Sequence, residues 1–205
     1  MTEEEAKQQI RDRFGSDAFA QLTSFADLLV HETGRQNLVA RSTIPHLWGR
    51  HILDSSQLLD HAPVEGAWLD VGSGGGLPGL VIAICRSAPI TLVEPRRLRG
   101  QFLQKVVDAL ELRHIRVEVA KVENLSPTEN APAVISARAV ASLDRLFEMG
   151  QHLASPSTTW LLPKGASAED EVADAARAWH GTFHVERSAT NPDSGIVIAR
   201  EVRRR

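Results

Sequence analysis

Cysteine occurs once, at Cys85, which excludes an intrachain disulfide and any cysteine-rich metal site. Its setting, "LVIAIC", is that of a thiol packed into a core. Tyrosine is absent, and no apolar run approaches the roughly 20 residues that a membrane span requires. The opening "MTEEEAKQQIRDRF" is acidic and polar with no signal-peptide core, so the expectation is a cytoplasmic chain that stays off membranes. An excess of either charge is also missing. The 23 Lys and Arg against 26 Asp and Glu give −3, which argues against a uniformly basic nucleic-acid binder and leaves local patches for that task. His46, His51 and His61 lack the i, i+4 spacing of a helical metal site, so no metal is expected. Repeats and low-complexity tracts are absent too. What remains, 205 residues of which 42% are hydrophobic, is enough for one domain with a subdomain added.

Residues 1–63 read as a helical extension and 64–205 as the main domain. Thr2 with Glu5 three positions on is a capping box, and the acids of "TEEE" suit the positive end of a helix. A first helix of a few turns follows. After "GSD", Phe19, Leu22, Phe25, Leu28 and Leu29 form one apolar stripe that predicts a second helix, stopped by Gly34. Ser42 or Thr43 as cap and Pro45 in the first turn predict a third helix over 44–59. From Ala67 the texture changes. The strand-like runs "AWLDV", "ITLVE", "RVEVA", "AVISAR" and "TWLLPK" alternate with helical stretches over 77–86, 97–110, 143–153 and 168–179. That alternation predicts right-handed βαβ crossovers, hence an α/β, doubly wound, Rossmann-like parallel sheet covered on both faces. "GTFHVERSA" and "GIVIAREV" have no helix between them and predict a terminal antiparallel hairpin.

The stretch "WLDVGSGGGLPGL" places a bare loop between a strand and a helix, where side chains must be absent if backbone is to lie against a ligand. Glu94 closes the second strand 22 positions after Gly72 (94 − 72), where a carboxylate can accept from both hydroxyls of a ribose. Strand, loop, helix, strand and acid in this order point to a nucleoside cofactor. S-adenosylmethionine suits the details better than a dinucleotide. Pro78 removes a backbone donor from the turn that would hold a pyrophosphate, and Asp70 would repel a pyrophosphate but attract a cationic methionine group. The terminal hairpin also matches the way class I methyltransferase sheets end. The other reading of Asp70 is a turn former.

Taken in order, "NLVARSTIPHLWGRHILDS", "LDVGSGGGLPGL", "ITLVEPRRLRGQFLQKV", "VISARAVASL" and "LPKG" resemble the bacterial small-subunit ribosomal RNA methyltransferase G family, also called glucose-inhibited division protein B. The resemblance covers nearly the whole chain. It implies methylation at ring nitrogen 7 of a guanine in 16S ribosomal RNA near the decoding site, with the small ribosomal subunit or its RNA as partner. Carried over by position, it implies that Gly72, Leu77, Val122, Glu123 and Arg138 line the cofactor pocket, beside Asp70, Gly74, Gly76 and Glu94 from the loop and strand. The chain departs from the family pattern at Val81, where proline is common, and at Glu94-Pro95, where an aspartate and a serine are common.

Chemistry narrows the reaction further. Methylating a pyrimidine carbon needs a pocket thiolate, and Cys85 sits in an apolar helix. Methylating an exocyclic amine commonly uses an acid or amide, two prolines and an aromatic after the fourth strand, where this chain reads "SARAVA". A guanine ring nitrogen presents a lone pair already, so placement suffices and no catalytic base is required. Arg138 can bind the methionine carboxylate, a phosphate or the guanine edge, or serve only as a structural ion pair. The candidate RNA contacts are Arg50, His51, Arg96, Arg97, Arg99 and Lys164. The expected form is a monomer. The alternatives are a methyltransferase of a small molecule or protein, which the modest acidity would suit, and a nucleotide-sensing protein without catalysis.

Overall fold

Helix α1 spans Glu3–Gln36 in a computed structural model that describes residues 1–205. Its start is the expected capping box. Thr2 Oγ1 accepts from the Glu5 amide at 3.2 Å, and the Glu5 carboxylate accepts from the Thr2 amide at 2.7 Å. Gly15, at φ 83°, breaks α1 into the two expected helical pieces. The stop at Gly34 does not occur. The helix runs on to Gln36, because a glycine only weakens a helix, and Asn37 at φ 51° ends it by donating its amide to Thr33 O.

The third helix predicted over 44–59 is replaced by a run of unlike turns. A 3₁₀ turn at Arg41–His46 leads to a π-helical turn at Trp48–Leu53, a single α-turn (α2) at Asp54–Ser56 and a 3₁₀ turn at Gln57–Asp60. A long-range contact accompanies the departure. The Glu3 carboxylate accepts from the amides of Trp48 and Gly49, each at 2.9 Å, and so caps the π turn from another helix. Thr43 does not cap; its hydroxyl donates back to Ala40 O at 2.7 Å.

The strands fall where the sequence pattern puts them. They are β1 Trp68–Val71, β2 Ile90–Val93, β3 Ile115–Glu118, β4 Val134–Ala137, β5 Thr159–Lys164, β6 Trp179–Arg187 and β7 Gly195–Arg204. The helices between them are α3 Gly79–Cys85, α4 Arg97–Ala109, α5 Leu143–Gly150 and α6 Ala168–Ala178. The sheet order is β3-β2-β1-β4-β5-β7-β6, parallel through β5 with β7 antiparallel to both β5 and β6. The doubly wound sheet and its terminal hairpin are as expected. Chain order reverses between β1 and β4, which opens a crevice at their carboxyl ends.

Two cores cover the sheet. On one face Ile10, Leu22, Phe25 and Leu29 of α1 join Leu80 and Ile82 of α3 and Phe102 and Leu103 of α4 in one continuous cluster. On the other, Phe147 of α5 meets Trp160 and Trp179 edge-on, with ring centroids 5.1 Å and 5.6 Å apart. Cys85 packs at the margin of the first core, and burial pushes its thiol up to about 12.

Candidate active site

The glycine loop has three left-handed positions, Gly72, Gly74 and Gly76, at φ 68°, 54° and 86°. The Gly72 and Ser73 amides both donate to Val93 O at the end of β2, at 2.8 Å and 3.0 Å. The next amide, that of Gly74, donates to Glu94 Oε2 at 2.9 Å, while Glu94 Oε1 accepts from the Arg96 amide at 2.8 Å. Glu94 is almost fully buried and clasps the glycine loop to the start of α4. Each of its oxygens keeps a second acceptor position.

The glycines serve different neighbours. A Cβ at Gly76 would lie 2.3 Å from Leu80 Cδ1, and one at Gly75 would lie 3.0 Å from Leu29 and 3.2 Å from Leu38. Those two let the loop pack on α3 and on the end of α1. At Gly74 the nearest atoms would be 3.6 Å and 3.7 Å away, the second belonging to Arg99, which lines the smaller cavity that Gly74 itself does not line.

Two cavities meet at this crevice. The smaller, about 340 Å³, is lined by Gly72, Glu94, Arg96, Arg99, Val122 and Glu123 among others. The larger, about 820 Å³, lies between the helical extension, β4 and the β6–β7 connection. Ala139 and Val140 line both and form the divide. Ala139 holds φ 55°, a left-handed conformation that costs an alanine on the order of 1 to 2 kcal/mol.

Several expected site residues are placed elsewhere. Asp70 is fully buried under the loop. Its Oδ1 accepts from Ser136 Oγ at 2.6 Å, its backbone oxygen accepts from Ser73 Oγ at 3.0 Å, and Oδ2 has no partner. Burial, partly offset by the Ser136 and Ser73 hydroxyls, pushes its carboxyl up to about 6. Its side chain therefore braces β1 against β4 and does not reach the cavities. The side chain of Leu77 belongs to the first core, and Gly76 faces Leu80. Arg138 lines the larger cavity and not the smaller one. It forms an ion pair with Asp54 at 3.5 Å and donates from Nη2 to His51 Nδ1 at 3.0 Å.

The candidate RNA contacts also divide. Arg96 and Arg99 line the smaller cavity, Arg50 lines the larger one, Arg97 is exposed, and none of the four pairs with a carboxylate. Lys164 also lines the larger cavity. Its Nζ donates to Ala141 O at 2.6 Å and to Glu171 at 2.8 Å, and the side chain is only 10% exposed, so it differs from the four arginines in being paired within the fold. Asp54, Gln57, Ser188 and Thr190, which no motif singled out, belong to the larger cavity. Their contacts join residues 131 to 136 positions apart, and no local spacing carries such a signal.

Comparison with known proteins agrees with this architecture. A family model described as rRNA small subunit methyltransferase G matches residues 18–192. The chain is 48% identical over 207 residues to Ribosomal RNA small subunit methyltransferase G of Novosphingobium aromaticivorans, covering 98% of this chain and 89% of that one. It is 47% identical over 185 residues to the protein of the same name from Sphingopyxis alaskensis, covering 89% and 78%. Among solved structures it is similar to a SAM dependent methyltransferase from Aquifex aeolicus, with a TM-score of 0.60 at 13% identity, covering 77% of this chain and 93% of the other.

Proposed function

The chain belongs to the rRNA small subunit methyltransferase G family, and from that premise we propose that it methylates ring nitrogen 7 of a guanine in 16S ribosomal RNA, with S-adenosylmethionine as methyl donor. The observation that carries this reading is the pair of cavities that meet at Ala139 and Val140, at the carboxyl ends of β1 and β4. Such a pair suits a cofactor on one side and a base on the other.

The residues present fit that cofactor. The smaller cavity has a side-chain-free floor at Gly72, a buried carboxylate at Glu94 with acceptor positions left for ribose hydroxyls, and Val122 to pack on an adenine. When bound, S-adenosylmethionine supplies a sulfonium methyl that a nitrogen lone pair takes directly, leaving S-adenosylhomocysteine and a guanine that carries the positive charge. The chain needs no residue to remove a proton first. Its task is to hold the base in line, exclude water and keep the loop rigid. Glu94 does the last by tying Gly74 to Arg96. Arg138 presents its remaining donors to the larger cavity, and the unpaired Arg50, Arg96, Arg97 and Arg99 suit RNA phosphates around it.

The test is methyl transfer from labelled S-adenosylmethionine to 16S ribosomal RNA, and to small subunits, from a strain lacking this gene. One 7-methylguanosine per RNA is the expected product. Label on another atom, or on protein alone, would refute the reading.

A further inference from the structure

We propose that His51 and Asp54 are positioning residues for Arg138, clamping its guanidinium at the wall of the larger cavity, so that the helical extension is a working part of the methyl-transfer site. The proposal rests on the function given above and goes beyond it by assigning the extension a role in the site.

The hydrogen bonds are directional. An arginine only donates, so the 3.0 Å contact from Arg138 Nη2 makes His51 Nδ1 an acceptor. The ring proton then sits on Nε2, which donates to Thr43 Oγ1 at 2.7 Å, and the Thr43 hydroxyl donates on to Ala40 O at 2.7 Å. Every member of this relay has one direction open to it, and the direction selects the neutral ring. The surrounding charges agree. Arg138 and Arg50 face the ring, the Asp54 carboxylate is turned to Arg138, and burial together with the two arginines pushes the imidazole down to about 4. A neutral ring with both nitrogens engaged is not a phosphate contact, which removes His51 from the RNA-binding set.

Asp54 holds the guanidinium from another side. Its Oδ2 faces Arg138 Nη1 at 3.5 Å, while Oδ1 accepts from Gln57 at 2.9 Å, Thr190 at 2.6 Å and Ser188 at 3.3 Å. The same carboxylate therefore ties Arg138 to the β6–β7 connection that walls the cavity. It also balances the arginine charge beside a base that becomes cationic as it is methylated. Arg138 makes no other hydrogen bond within the chain, and its side chain is 18% exposed, so its remaining N–H groups are left for an oxygen of the ligand. The π turn is what brings this about. His51 lies within it and Asp54 follows it directly, and isolated π turns recur at functional sites. Glu3 caps that turn, so α1 supports the clamp as well.

The test combines spectroscopy with kinetics. In the wild-type chain, ¹⁵N shifts of His51 should report the Nε2–H tautomer and a titration well below that of a free histidine, and Arg138→Ala should move the titration up. His51→Ala should lower kcat/KM for methyl transfer by about 10²-fold, the scale of a misplaced binding group. His51→Asn should recover most of that loss, because its Oδ1 falls where Nδ1 stood and accepts the same bond. A fall in S-adenosylmethionine affinity by calorimetry would place the Arg138 contact on the cofactor carboxylate, and an effect confined to RNA kinetics would place it on the guanine; either supports the clamp. An Nδ1–H tautomer, an ordinary titration, a fully active His51→Ala, or an Asn variant no better than Ala while both melt like wild type would overturn it. A wild-type chain that methylates no ribosomal RNA would refute the functional reading alone, and the tautomer and its response to Arg138→Ala would still decide the clamp.

Discussion

Gly74 and Gly76 stand two positions apart in one loop, both at positive φ, and should respond to substitution in different ways. A side chain at Gly76 overlaps Leu80, so Gly76→Ala should lower stability by about 1 to 3 kcal/mol, read from chemical denaturation. Gly74 has room around it but holds φ 54°, so Gly74→Val should cost stability by backbone strain, on the order of 1 to 2 kcal/mol, and should weaken S-adenosylmethionine by more than tenfold, about 1.4 kcal/mol by calorimetry, since its side chain stands beside Arg99 at the smaller cavity. Glu94 predicts a subtler result. Its two oxygens already accept from Gly74 and Arg96, so Glu94→Gln must forfeit one of these bonds as well as the charge, and cofactor affinity should fall by roughly 1 to 3 kcal/mol. If an analogue lacking both ribose hydroxyls loses as much, Glu94 acts by holding the loop and not by binding the ribose. Asp70 gives a prediction in pH. Burial raises its carboxyl from 3.8 to about 6, so between those values the folded state keeps a proton that the unfolded state has released. Stability from this group is therefore lost as pH rises through that window, by up to about 3 kcal/mol. The difference in unfolding free energy between wild type and Asp70→Asn should shift by that order across the window, and a constant difference would mean that Asp70 ionises as it does in the unfolded chain.

At the scale of an element, α4 is built against its own dipole. Arg96 stands at its N-cap position without a side-chain cap, Arg97 and Arg99 lie in its first turn, and that turn holds no acid, although a helix N-terminus favours negative charge by about 0.3 to 1 kcal/mol per residue. Local stability does not explain these arginines, whereas the proposed contacts to RNA phosphates would. Because Arg96 and Arg99 also line the smaller cavity, the variant that isolates RNA is Arg97→Glu. It should melt slightly higher than wild type, raise the KM for RNA, flatten the logarithmic salt dependence by about one unit and leave cofactor affinity unchanged. Unaltered salt dependence would make Arg97 part of a solvated helix face. The π turn is the other element whose form follows from its partners, and it shows why a helix was expected over 44–59. The apolar spacing there is helical, but Glu3, far away in sequence, takes the amides of Trp48 and Gly49.

The whole molecule has no seam between extension and sheet. Ile10, Leu22 and Phe25 share a core with Leu80 and Phe102, so the chain should unfold in one calorimetric transition, and Phe25→Ala should lower the stability of all of it by about 3 to 5 kcal/mol. Two resolved transitions would show that the extension is a separate unit. The sequence by itself determined the strands and the helices between them, the doubly wound sheet, the hairpin, the glycine loop and the acid at Glu94, because all of these are local: periodicity, turn chemistry and spacings of a few tens of residues. It also singled out Arg138, His51 and Arg50 as chemically notable. Only the tertiary structure decided their surroundings. Arg138 lines the larger cavity, His51 Nδ1 accepts from it, Asp54 joins three distant segments, Asp70 is sealed beneath the loop and Lys164 pairs with Glu171. Burial and partnership set the charge state and direction of each of these groups, and both depend on residues up to 136 positions away, which no pattern along the chain encodes.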